Sequence, residues 1–390
     1  MDFELYFDPV DEQIIKKDFQ AYTNAIGTKI RTYFSASEFP SLEGIDIALI
    51  GVKEERGCLR NEGTALAPDY VRKHFYRLFE GPYNMKIADL GNIKQGLSVE
   101  DTYSAVKTII ADLLQSRIIP VVIGGSQDIT YPAYLAYEHI GQIINIVSVD
   151  YAFDLGNNEN ETNSRSYLSK IILHKPNFLF NYTNIGYQTY FVDQEAISLM
   201  EKLFFDAYRL GAIRSDLEEV EPMVRNADLM SFDISAIRQS DAPGNGNASP
   251  NGFYGEEACQ ITRYAGISDK LSCIGFFETN PIFDNHEQTS HLVAQMIWYF
   301  VEGFYNRKHD FPLKDKESFL KYRVSIENHK QEIVFYKSKK SDRWWMEVPY
   351  SDGMSKFERH HLVPCSFKDY MAACSEEMPD RWWQFYQKLT

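Results

Sequence analysis

From about residue 45 the chain alternates short, uninterrupted apolar runs with longer stretches in which apolar residues recur every third or fourth position. "IDIALIGV" (45–52), "KIADLG" (86–91), "IIPVVIGG" (118–125), "IINIVSVD" (143–150), "YTNIGYQ" (182–188), "ADLMSFDI" (227–234) and "KLSCIGFFE" (270–278) read as strands buried on both faces. Between them "SVEDTYSAVKTIIADLLQSR" (98–117) reads as a helix opened by a Ser98/Asp101 capping box. A second helix opens at Asp193 and runs on through "QEAISLMEKLFFDAYRL", and "EQTSHLVAQMIWYFVEGFY" (287–305) is a long amphipathic one. Strands alternating with helices predict an α/β fold of three αβα layers around a mainly parallel, twisted sheet. After residue 308 the texture changes to hairpin-like alternation with a helical end, so 309–390 reads as a small C-terminal α+β subdomain. Residues 1–44 read as a mainly helical arm, leaving 45–308 as the α/β domain.

In a sheet of this kind functional side chains gather where the strands end on their carboxyl side. Asp150, Asp233 and Glu278 all fall at such ends, and "SVDYAFDLG" adds Asp154 four residues after Asp150. Composition narrows the partners. The 390 residues carry a net charge of −15, which argues against a nucleic-acid footprint or an anionic membrane surface. The first residues place acids where a signal peptide would be basic, and no apolar run is long enough to insert in a membrane. Five cysteines without a CxxC pair fit reduced thiols, and a cytoplasmic protein is expected.

Six segments, in order, resemble the ureohydrolases: arginase, agmatinase and, most closely, formiminoglutamase. They are Gly63 to Pro68 with Arg72, "IADLGNI", "PVVIGGSQDIT", "SVDYAFDLG", "SFDISAIRQSDAPGNGNASPNG" and "FFETNPIFDNHEQTSHLVAQMI". The resemblance implies the arginase/deacetylase-like fold. It also implies a pair of Mn²⁺ ions sharing a hydroxide that attacks an amidine or guanidine carbon. In the family's pattern six side chains hold the metals, and here the positions read Gln127, Asp150, Ala152, Asp154, Asp233 and Ser235. Gln127, Asp150, Asp154 and Asp233 keep one oxygen-bearing set, a residual single metal site if occupied. Ala152 and Ser235 are the degraded positions, and they strip the second site.

The resemblance places Glu278 where the family faces the guanidinium or amidinium of its substrate, here a vestigial contact that keeps a small amidine-like ligand open. The loop after the second motif, "NNENETNSRSYLSK" (157–170), lacks the histidine the family often uses there, so no confident catalytic residue remains. The surviving carboxylates would raise one another's pKa unless compensated. Arg238, standing where the family has an aspartate, is the candidate internal counter-ion. No metal is the first expectation, and one Mg²⁺, Ca²⁺ or Mn²⁺ ion is the alternative.

Adjacent His360 and His361 would point to opposite faces of an extended segment and chelate poorly. The two "DRWW" stretches bring Trp344, Trp345, Trp382 and Trp383 into the C-terminal subdomain. They read either as its core or as a surface for a protein partner. The sequence thus points to a ureohydrolase-fold pseudoenzyme that binds or scaffolds. A single-metal hydrolase of C–N bonds in linear amidines is the alternative, and a homo-oligomer stays open.

Overall fold

The chain pairs β1 (Phe7–Asp8), β2 (Arg31–Thr32), β3 (Ile47–Val52), β4 (Ile87–Ile93), β5 (Ile119–Gly124), β6 (Ile144–Val149), β7 (Leu179–Tyr187), β8 (Asp206–Arg209), β9 (Leu229–Asp233) and β10 (Cys273–Phe277) into one sheet. Their order is β1-β4-β3-β5-β10-β9-β6-β7-β8, with β2 also on β4. Only β1 runs antiparallel to its neighbour. This computed structural model describes residues 3–15, 23–35, 38–156, 162–312, 316–326, 331–350 and 359–389.

Every residue of β3, β4, β5, β6, β9 and β10 is buried, and apolar residues predominate in them, although β4 also buries Asp89 and Asn92 and β9 buries Ser231 and Asp233. Two separate apolar cores lie on the two sides of the sheet. One is closed by the helices Ala67–Phe75, Gly255–Ile267 and Gln288–Tyr305. The other is closed by Val99–Gln115, Thr130–His139 and Tyr167–Leu173. The three layers expected from the alternation are therefore present. The capping box at the start of Val99–Gln115 is formed as read: Ser98 Oγ accepts from Asp101 N at 3.1 Å, and Asp101 Oδ2 accepts from Ser98 N at 2.9 Å.

Two expectations change. The helix opening at Asp193 stops at Lys202; Phe204 then takes φ of 56°, and 206–209 pair as β8 with β7 at the sheet edge. The N-terminal arm holds two short strands, β1 and β2, beside its helical turns, because the edge strand β4 offers unpaired backbone groups.

The C-terminal segment forms a separate antiparallel sheet of β11 (Phe319–Ile326), β12 (Gln331–Ser338), β13 (Trp344–Glu347) and β14 (Leu362–Cys365), with helices Phe367–Cys374 and Asp380–Leu389. It docks where the parallel strands begin. Buried Arg225 donates to Trp344 O at 3.1 Å and Cys365 O at 3.2 Å while stacking on Trp345. Arg359 donates to Asp228, just before β9, at 2.8 Å. The partner surface expected of the tryptophans is corrected here. Trp344, Trp345 and Trp382 are buried in the subdomain's own core, and only Trp383 is exposed, at 48%. The reason is positional: β13 is an inner strand, and Trp382 Nε1 donates to Glu347 O at 3.0 Å. His360 is buried against Phe180, with ring centroids 4.2 Å apart, while His361 lies closer to the surface beside Tyr350. Among the described residues no helix is long and apolar enough to cross a membrane.

Candidate functional site

The four central strands β5, β10, β9 and β6 are neighbours, so the residues just past their carboxyl ends converge. Those residues are Gln127, Glu278 and Asp150, joined by Asp233, the last residue of β9. At the end of β5 the chain must turn sharply under the loop that follows β3. A Cβ on Gly125 would strike Glu54 O, and Ser126 N donates to that same oxygen at 3.0 Å. The turn delivers Gln127 to the floor of the site.

Asp150, Asp233 and Glu278 are held by backbone or amide donors. Asp150 Oδ1 accepts from Ala152 N at 3.1 Å, and Oδ2 accepts from Gln127 Nε2 at 3.3 Å. Asp233 Oδ1 accepts from Ser235 N at 2.7 Å. Glu278 takes Gln127 N at 2.9 Å on one oxygen and Asn61 Nδ2 at 2.8 Å on the other. Its carbonyl accepts from Asn61 and Asn245 as well. Asp154 and Glu278 both sit in the left-handed region, with φ of 51° and 67°. Non-glycine residues there are strained by about 1–2 kcal/mol each, and such strain collects at functional sites.

Burial, first of all, pushes the carboxyls upward. Asp154 is raised well above the usual carboxylate range by burial and then by Asp150, Asp233 and Glu278. Asp233 is raised by burial, then by Asp150 and Glu278. Glu278 is pushed up to about 7 by burial, against the opposing pull of Asn61 and Gln127. Asp150 is raised by burial too, though Asp154, Arg165, Ala152 N–H and Gln127 resist the change.

Arg238 is not the counter-ion. Its Nε donates to Asp241 at 2.8 Å and its guanidinium lies over Tyr254, because the loop after Ser235 carries it away from the strand ends. The cation that acts on the acids is Arg165, which stacks on Tyr151 at 4.8 Å and favours the charged forms of Asp150 and Glu278. Sequence reading missed it, although it lies in the "NSRS" loop searched for a histidine. Asp128 was missed as well. It is buried, accepts from Tyr103 and Ser126, and is raised to about 6 by burial. Its signal was its place directly after Gln127. Cys58, 3.7 Å from Glu278, has its thiol pushed up by burial and by that acid, so it is unsuited to nucleophilic work.

The fit to metal differs between the two inherited positions. At the second, Ala152 brings a methyl group and Ser235 a buried neutral hydroxyl beside Asp233, so neither of these two residues itself supplies a charged donor. At the first, Gln127 Oε1 and Asp154 Oδ2 are buried acceptors lacking partners, the kind of oxygen a hard cation takes. Among the described residues no three His, Cys, Asp or Glu side chains already form a group that could hold a metal ion. A metal pair does not fit these residues; one hard ion fits the oxygen chemistry, with side-chain adjustment.

Above the floor opens a cleft of about 1110 Å³, lined among others by Ala152, Asp154, Arg165, Phe191 and Leu199. Residues 45–302 match the arginase family, and the chain belongs to it. A formimidoylglutamase of Staphylococcus haemolyticus is 24% identical over 287 residues, 69% of this chain and 92% of that protein. Among solved structures, a Trypanosoma cruzi formiminoglutamase crystallised with Mn²⁺ superposes with a TM-score of 0.64 at 20% identity, over 73% of this chain and 99% of that one. The Bacillus subtilis formimidoylglutamase gives 0.65 at 18% identity, over 73% and 93%. The fold and the kinship to formiminoglutamases are therefore established.

Proposed function

We propose that this arginase-family chain is a cytoplasmic pseudoenzyme: it has kept the fold and the acidic floor but lost the two-metal hydroxide, and it works by binding. The observation that carries the reading is position 152. Its side chain is a methyl group on the cleft wall, between Asp150 and Asp154, where the family's pattern has a ligating histidine. Ser235 agrees, since its hydroxyl is a poor substitute for a carboxylate. Without a second Lewis acid the shared water would not be lowered toward neutral pKa by two ions, and the amidine carbon would lose half of its electrostatic clamp. The reading is tested by incubating the Mn²⁺-treated protein with formiminoglutamate, arginine and agmatine. No ammonia, formamide or urea above the protein-free blank is expected, and ordinary turnover of any of the three would overturn it.

A second reading keeps a metal. The unpartnered Gln127 Oε1 and Asp154 Oδ2 favour one hard ion bound with Asp150 and Asp233, as in a single-metal amidine hydrolase. The relatives named as formimidoylglutamases support the substrate class. Turnover that scales with one bound metal per chain would mark this reading as the right one.

A further inference from the structure

The C-terminal subdomain meets the parallel-sheet domain at a joint built around Phe180, near the start of β7. Phe180 packs against the subdomain's own core and lies 6.0 Å, centroid to centroid, from Phe385 of helix Asp380–Leu389. His360, just before β14, stacks on the same ring. The imidazole is 1% exposed, and among the described residues neither of its nitrogens has a hydrogen-bond partner. That is an uncommon state for a buried polar group. Phenylalanine would stack on Phe180 as well and leave no polar atom unmet. Histidine adds the capacity to take a proton.

The surroundings oppose that proton. Among the described residues the charges that act on the ring are those of Lys270, shortly before β10, and of neighbouring Arg359, both cations. Burial first, and then these two, hold the imidazole well below its ordinary pKa. The Ile143 carbonyl pulls the other way, but it already accepts from Arg359 Nη1 at 3.4 Å. From helix Asp380–Leu389 a third cation, Lys388, faces the start of β7 and donates to Asn181 Oδ1 at 2.5 Å. The carboxylates on this side are already engaged. Asp228 accepts from Arg359 at 2.8 Å and lies 3.6 Å from Lys270, and Asp206 of β8 lies 3.8 Å from Lys388.

We propose that His360 makes the docking of the C-terminal subdomain acid-labile: its ring takes a proton only by leaving Phe180, so acid shifts the subdomain toward release. This device works the same way whether the strand-end acids bind or hydrolyse. The docked ring holds fewer protons than a free one. Docking is therefore at full strength above about pH 6.5, the ordinary histidine value, and weakens as the pH falls below it. From pH 7.5 to pH 5.5 the docking equilibrium should drop about tenfold. Lys270, held down to about 8 by burial, titrates above that window. Glu278 changes global stability in the opposite sense, so the readout has to be local.

The test uses the full chain with ¹³C-labelled histidine rings, followed by NMR from about pH 8 to 5, the His360 signal being assigned through His360→Phe. The neutral-ring signal should hold its position and lose intensity below about pH 6.5. In parallel, hydrogen exchange at Leu362–Cys365 is corrected for its intrinsic pH dependence and referenced to β5. It should report opening about tenfold more frequent at pH 5.5 than at pH 7.5, and no such difference in His360→Phe. His360→Gln, which cannot titrate in this range either, replaces the phenylalanine variant if that variant does not fold. A His360 signal that titrates smoothly near pH 6.5 in the docked chain overturns the proposal, as does exchange that is equal at the two pH values. An equal acid response in the variant also overturns it, and would assign the response to Asp228 or Asp206.

Discussion

On the proposed reading, a methyl group at position 152 and a hydroxyl at 235 separate this floor from a two-metal one, so returning donors there should return metal. The triple variant Gln127→His, Ala152→His, Ser235→Asp is expected to bind Mn²⁺ more tightly and in greater number than the natural chain, read by calorimetric titration; equal binding would mean the scaffold no longer positions the ligands. The acids also set a pH signature. Glu278 keeps its proton up to about 7 in the folded chain, against about 4.3 for an unfolded glutamate. Between those values the folded state holds more protons than the unfolded state. The stability from this group is thus full below about pH 4 and is lost as the pH climbs through about 7. Asp154 and Asp233 are shifted in the same direction. The thermal midpoint of metal-free protein should fall between about pH 5 and 7, and Glu278→Gln should fall less steeply; an equal slope in the variant would refute the assignment. Asp150, Asp233 and Glu278 were legible because each falls at a strand end, Asp154 from its spacing after Asp150, and Gln127 only through the family resemblance. Arg165 was not, because its partner Tyr151 lies across a loop and stacking leaves no spacing signal. Arg238 misled because a position in a motif does not fix where a long side chain turns.

At the scale of elements, the C-terminal subdomain is held to the parallel-sheet domain by hydrogen bonds and ion pairs that include buried Arg225 and the Lys388 ammonium. Trp345→Ala should cost about 3–5 kcal/mol by denaturant unfolding, since the ring is 1% exposed under Arg225, whereas exposed Trp383→Ala should stay within about 0.5 kcal/mol. Similar costs for the two would place both on the surface or both in the core. The buried strands were readable from Ile and Val runs, because burial on both faces imposes composition. β8 was not. "FFDAYRL" continues a helical spacing, and what makes Asp206–Arg209 a strand is the free edge of β7, a tertiary fact. The tandem tryptophans favoured core but left a surface open, since tryptophan serves both, and the inner position of β13 decides for Trp344 and Trp345.

Across the whole molecule the two ends of the sheet carry different features. The acids and the cleft lie where the strands end, and the C-terminal subdomain docks where they begin, through Arg225 and Arg359. Substituting Arg225→Ala should therefore weaken the subdomain's attachment, seen as a split or broadened calorimetric transition, while binding at the cleft is unchanged; loss of both together would mean the ends are coupled. The net charge of −15 argues against a nucleic-acid partner, and acidity alone located no site; the strand-end acids needed the fold to be brought together. The central claim, that this arginase-family site no longer assembles a metal pair, is tested most directly by the metal content of the intact chain. After equilibration with excess Mn²⁺ and desalting, elemental analysis should find at most one ion per chain in the natural protein. Two tightly held Mn²⁺ ions per chain would contradict the account.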